Sequence, residues 1–96
     1  MKPSDALRQH RDAIRAIIRR YRVANPRVFG STALARDQEG SDLDLLVDPL
    51  PQTTLFDLGG LQVELEELLG VRVDIRVPRD LPVKVRLRVL AEAHAL

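Results

Sequence analysis

The stretch "DLDLLVD", Asp42 to Asp48, restricts the fold of this chain more than any other segment. It alternates as a β-strand does: Leu43, Leu45 and Val47 face one way, and Asp42, Asp44, Leu46 and Asp48 the other. Pro49 and Pro51 close it, since proline cannot donate to a strand ladder. The apolar side must be buried, so the strand needs a sheet around it and a layer packed over it. The aspartates on the other side repel each other and resist losing water.

The remaining elements follow from periodicity. Ser4, after Pro3 and before Asp5, reads as a helix N-cap. From there Leu7, Ile14, Ile17, Ile18 and Tyr21 recur at helical spacing, and Arg8, Arg11, Arg15, Arg19 and Arg22 fill the other faces. This is an amphipathic helix of roughly five turns, with a solvated arginine face, ending before Asn25-Pro26. Tyr21 continues its apolar stripe into the core. "RVFG", Arg27 to Gly30, is a short strand running into a turn, and residues 32–41 form a polar loop that can open with a helical turn. Thr54 and Asp57 have capping-box spacing ahead of "LFDLGGLQVELEELL", and Gly70 is placed to end that helix. Gly59-Gly60 inside it costs about 1 kcal/mol per glycine against alanine, which a tight contact or a helix break would explain. "VRVDIRV", Val71 to Val77, alternates strictly, with Arg72, Asp74 and Arg76 on its polar face. "VKVRLRV", Val83 to Val89, has strand period, but Asp80, Pro82 and "LAEAHAL" favour a helix, which is the reading adopted. Its apolar positions, like those of the preceding helix, are expected mainly in the core, with some open to a partner. The order helix, strand, loop, strand, helix, strand, helix describes a small α/β (α+β) domain, with helices packed on a mixed sheet.

Composition sets outer bounds. With 96 residues, the expectation is a single domain, residues 1–96, burying about two-thirds of its unfolded surface. The formal net charge of +1, with both signs mixed along the chain, makes no case for direct nucleic-acid binding. No cysteine is present, which excludes disulfides and thiolate metal sites and fits a reducing, cytoplasmic setting. No apolar run approaches the roughly 20 residues needed to span a bilayer, and the N-terminal stretch lacks the apolar core of a signal peptide. His10 and His94 have no companions at ligand spacing and read as ordinary surface or packing residues.

The chemistry-bearing residues are Asp42, Asp44 and Asp74 on two strands, and Gly30-Ser31 at the turn. If the strands pair, the carboxylates converge, and hard oxygen ligands of this kind suit Mg²⁺ or Mn²⁺. Two such ions about 3.5–4 Å apart can polarise a phosphate and activate a hydroxyl. Glycine lets backbone N–H groups come close to a phosphate, and the serine hydroxyl adds a donor. Metals beside a phosphate cradle suit a nucleoside triphosphate. Alone, each aspartate also fits a solvated strand entrance, and Asp74 between Arg72 and Arg76 fits a surface ion-pair ladder. Asp48 reads as a capping or turn residue before Pro49.

"GS", ten residues, then "DLD" followed by "LLV" resembles the signature of the DNA polymerase β-like nucleotidyltransferases. "GSDLDLLVDPLPQTTLFDLGGLQVELEELLGVRVDI" is similar to the minimal nucleotidyltransferases, the antitoxin halves of HEPN–MNT toxin–antitoxin pairs. The resemblance covers most of the chain from Phe29 onward and implies the polymerase β palm-like nucleotidyltransferase fold. It further implies that Gly30 and Ser31 hold the triphosphate of ATP, with Asp42 and Asp44 as ligands to two Mg²⁺ ions. Asp74 would be the third carboxylate, assisting deprotonation of the acceptor. The implied reaction is Mg²⁺-dependent transfer of AMP to a tyrosine hydroxyl of a cognate HEPN ribonuclease toxin, in a hetero-oligomer. The chain departs from the family pattern Gly-Ser-x-Ala-Arg-Gly at two positions. Leu34 stands for the arginine and Ala35 for the second glycine, leaving Arg36 to act from a shifted position. A steric antitoxin with a weakened site is the alternative these two residues allow.

Overall fold

The structure, a computed structural model, describes residues 1–96. Its elements are α1 (Pro3–Arg19), β1 (Val23–Phe29), the single helical turn α2 (Gly30–Ala33), β2 (Leu43–Pro49), α3 (Leu55–Leu69) and β3 (Val73–Arg76). A 3-10 turn (Pro78–Asp80), α4 (Val83–Glu92) and β4 (His94–Ala95) follow. The four strands form one mixed sheet in the order β3-β2-β1-β4. β2 lies antiparallel to β1 and parallel to β3, and β4 adds antiparallel to the free edge of β1.

The alternation of β2 explains its central place. Leu43 and Leu45 are fully buried and join Val28 of β1 and Val73 of β3 under a layer made by α1 and α3. Ala6, Ile14 and Ile18 reach down from α1, and Leu61, Leu65 and Leu69 from α3. Burying a leucine in such a core contributes about 1.5–3 kcal/mol. Leu46, on the aspartate side of the strand, is fully buried as well; the 3-10 turn packs against β2.

Several boundaries differ from the sequence expectation. The helix α1 begins at Pro3, with Lys2 rather than Ser4 at its cap and no side-chain cap bond. Its first turn is satisfied from a distance: the Ser4 backbone N–H donates to the Asp37 carboxylate at 2.8 Å. Burial opposes charge on Asp37, but the Ser4 hydrogen bonds outweigh it and hold its pKa below the ordinary value. At its other end α1 stops at Arg19, and β1 begins at Val23 instead of Arg27. The extra strand length passes through Asn25 in the left-handed region (φ +50°) and a break in register between Ala24 and Arg27. Asp48, expected at a turn, instead accepts from Arg27 at 2.5 Å and Asn25 at 3.1 Å.

The capping box of α3 forms as its spacing predicts, and Gly70 ends the helix at φ +69°. The two glycines inside α3 have different environments. A Cβ at Gly60 would lie 3.3 Å from Cε1 of Tyr21, whereas one at Gly59 would meet nothing within 4 Å. Tight packing against Tyr21 therefore accounts for Gly60, and Gly59 has no such neighbour.

The segment α4 is helical, but it corrects the expectation of a mainly buried apolar side, because none of its residues is buried. A period of two places successive apolar residues on opposite sides of a helix, so Val83, Val85, Leu87 and Val89 encircle the axis. Leu87 is 79% exposed. The helix also stops at Glu92, and His94–Ala95 become the short edge strand β4. No helix is long and apolar enough to cross a membrane.

Candidate active site

Strand register assembles the acidic half of the site. In the parallel β2–β3 pair Asp44 stands directly beside Asp74. In the antiparallel β1–β2 pair Phe29 stands beside Asp44, so the chain enters Gly30 next to the same carboxylate. Gly30 adopts φ +70°. A Cβ built there would overlap the Asp44 carboxylate, with Cγ of Asp44 only 3.1 Å away. Glycine is thus favoured at this position by the backbone angle and needed for the approach to Asp44.

The three aspartates are not equivalent. Asp74 accepts from Nε of Arg76 with both oxygens, at 3.0 and 3.1 Å. Asp42 lies 3.7 Å from Nε of the exposed Arg72. Asp44 is half-buried and has no side-chain partner. Loss of water, then the nearby charges of Asp74 and Asp42, push its pKa up to about 6, against an opposing pull from Arg76. Of the expected ladder on this face only the Asp74–Arg76 pair forms, Arg72 turning to Asp42 instead, and Asp44 is left uncompensated. As the side chains stand, no three acidic or histidine groups gather into a closed metal cage. The donor set still suits Mg²⁺, which takes one or two carboxylates and completes its shell with water and phosphate oxygens.

Gly30 also lines a cleft of about 500 Å³, together with Phe29, Ser31, Leu34, Arg36 and, from α4, Arg88, Val89 and Glu92. Gly30, Ser31 and Arg36 are thus brought together; none of Asp42, Asp44 and Asp74 lines this cleft, and Gly30 is the lining residue that touches Asp44. Leu34 also lines this cleft, at the position where the resemblance implies an arginine. Ala35 has φ +57°. The backbone thus keeps a left-handed conformation where the family pattern has its second glycine. The α4 residues were not legible as site residues: Lys84, Arg86 and Arg88 alternate identically along the helix, and only tertiary packing distinguishes them.

Residues 7–95 match the family model described as a nucleotidyltransferase domain, and the chain belongs to that family. Two proteins of Methanocaldococcus jannaschii, each named as a proposed protein adenylyltransferase, are similar in sequence. One is 36% identical over 77 residues, covering 80% of this chain and 83% of the relative. The other is 34% identical over 71 residues, covering 74% and 69%. Among solved structures, one described as a proposed minimal nucleotidyltransferase superposes with a TM-score of 0.82 at 42% identity, covering 97% of this chain and 93% of its own. A toxin–antitoxin structure with AMP-PNP shares the fold at a TM-score of 0.74 and 19% identity, covering 88% of this chain and 69% of its own. The MntA–HepT toxin–antitoxin structure does so at 0.68 and 17%, covering 92% and 69%.

Proposed function

We propose that this chain is a cytoplasmic antitoxin nucleotidyltransferase that transfers AMP from ATP to a tyrosine hydroxyl of a cognate HEPN-type toxin and so silences it. The observation that carries the reading is the close approach of Gly30 to Asp44, with Asp74 in register on the far side. Gly30 thereby links a cleft carrying two arginines to an uncompensated carboxylate. The names of the relatives and the fold shared with toxin–antitoxin proteins support it.

In this reading Asp42 and Asp44 hold Mg²⁺, as one ion or two, with Asp74 as the third carboxylate. Bound there, Mg²⁺ would neutralise charge on the triphosphate and on the transition state. The chain's own groups do the rest. The Gly30 and Ser31 backbone and the Ser31 hydroxyl orient the phosphates, and Arg36 adds positive charge at the cleft. Asp74 accepts the proton as the tyrosine oxygen bonds to the α-phosphorus. The bond from the α-phosphorus to the bridging oxygen breaks, and pyrophosphate leaves with that oxygen. A half-buried carboxylate beside two others is unfavourable by itself, which favours a cation-binding role over a purely structural one. Exposed apolar side chains such as Phe56 (92% exposed) and Leu87 give a partner protein surface to cover.

Leu34 and Ala35 favour one second reading, an antitoxin that neutralises by steric contact alone. Intact mass of the partner toxin separates the two, after incubation with ATP, Mg²⁺ and either the wild-type chain or an Asp42→Asn/Asp44→Asn variant. The expected result is a gain of one or more AMP units with the wild type only. An unmodified toxin that still binds both versions would sink the catalytic reading and leave the steric one.

A further inference from the structure

We infer that Arg88 of α4 grips the polyphosphate of the bound nucleotide, facing the cleft beside the Gly30-Ser31 turn. The inference rests on the nucleotidyltransferase reading and concerns the same cleft.

The three cations of α4 have separate fates. Lys84 is exposed and does not line the cleft. Arg86 is committed to the fold, donating to the carbonyls of Arg79 at 3.1 Å and Leu81 at 3.0 Å. Arg88 lines the cleft with Gly30, Ser31, Leu34 and Arg36. Neither Arg88 nor Arg36 takes part in any of the chain's ion pairs. Glu92 also lines the cleft, four residues beyond Arg88 on the same helix, yet the two do not pair. The lining is therefore net positive by one charge, with two free guanidiniums and a glycine-serine turn on one cavity.

Guanidinium is the side chain best matched to phosphate oxygens, since its fork donates two parallel hydrogen bonds. Helix α4 packs against α2, the turn that carries Ser31, and this packing brings Arg88 to the cleft. Leu34 walls the same cleft. The turn segment supplies Arg36 and α4 supplies Arg88, so two unpaired guanidiniums from separate elements meet on one cleft. The ligand class this selects is a nucleoside polyphosphate, not a nucleoside monophosphate. The reacting α-phosphate belongs at the Gly30–Asp44 wall, which leaves the outer phosphates for Arg88.

Equilibrium titration of ATP and AMP, with Mg²⁺ and without acceptor protein, tests this on wild type, Arg88→Ala, Arg88→Lys and Arg88→Ala/Leu34→Arg. Loss of charge-assisted hydrogen bonds to phosphate is expected to weaken ATP binding about tenfold in Arg88→Ala. AMP affinity and the melting temperature should stay unchanged, because the exposed Arg88 side chain supports nothing else in the fold. Arg88→Lys should recover part of the ATP affinity, and adding Leu34→Arg should recover more. Wild-type ATP affinity in Arg88→Ala would overturn the role of Arg88 and leave the nucleotidyltransferase reading intact, as would equal losses of ATP and AMP. No ATP binding by the wild type would overturn both. A weakened Arg88→Ala that Leu34→Arg does not rescue would overturn the assignment of that loss to missing positive charge in this cleft.

Discussion

Gly30 and Ala35 lie five residues apart on one turn, and both adopt left-handed backbone angles, φ +70° and +57°. Only one of them is glycine. At Gly30 the strand β1 delivers the chain against Asp44, and there is no room for a Cβ. Ala35 is exposed and carries its Cβ at the cost of backbone strain alone, about 1–2 kcal/mol. A positive φ makes glycine preferable, and a neighbour in the Cβ position makes it obligatory. The same contrast separates the two halves of the site. The acidic half is built on a buried strand in fixed register, and the cleft half on an exposed turn and an exposed helix.

The largest effect is expected where both constraints meet. Gly30→Ala adds the left-handed penalty of about 1–2 kcal/mol to an overlap with Asp44, so the melting temperature should fall. AMP transfer should fall further, by about 100-fold, because displacing a reacting group by around 1 Å is enough for that. Thermal melts beside a transfer assay check both. Transfer at the wild-type rate would show that Gly30 is only a turn residue and that its approach to Asp44 has no catalytic meaning.

A smaller effect isolates the acidic half. The folded protein keeps the Asp44 proton up to about pH 6, whereas the ordinary value is 3.8. Between those two pH values the folded state binds more protons than the unfolded one, so stability from this group falls as pH rises from about 4 to about 6. Asp44→Asn removes that fall. In metal-free buffer the variant and wild type should melt together near pH 3.5 and diverge above it, with the variant the more stable at pH 7. Asp37 works in the opposite direction, losing its contribution as pH drops below its ordinary value, and is common to both proteins. Parallel melting curves across pH 4–6 would mean that the Asp44 carboxylate is well solvated and needs no cation.

These contrasts also explain what could be read from the chain. The buried strand, its aspartates, the Gly30-Ser31 turn and the capping box at Thr54 are local patterns, and local patterns are what periodicity and spacing report. Asp44 beside Asp74 required only that two alternating strands pair. By contrast, β4 is two residues, His94 and Ala95, whose extended form comes from the free edge of β1. The early start of β1 depends on a left-handed Asn25 that no periodicity announces. The cleft contribution of α4 was hidden for the same reason that its burial was misjudged. Its alternation has no preferred side when wound into a helix, so nothing in the sequence shows which of its cations lines the cleft with Ser31.

The smallest effect tests whether Ala35 is strained. Ala35→Gly relieves the left-handed penalty of about 1–2 kcal/mol but gives the unfolded chain extra freedom worth about 0.4–1 kcal/mol. The difference between those two figures is a gain of up to about 1.5 kcal/mol, read as a modest rise in the denaturant midpoint at unchanged slope. The sign is opposite to that for Gly30→Ala, although both substitutions exchange the same two residue types at similar φ. Because Ala35 is exposed and does not line the cleft, ATP affinity should not change. A stabilised variant with unchanged ATP affinity would locate the departure from the family pattern in backbone strain at Ala35 and in charge at Leu34. A stabilised variant that also binds ATP more tightly would instead make the shape of the turn itself part of the phosphate grip.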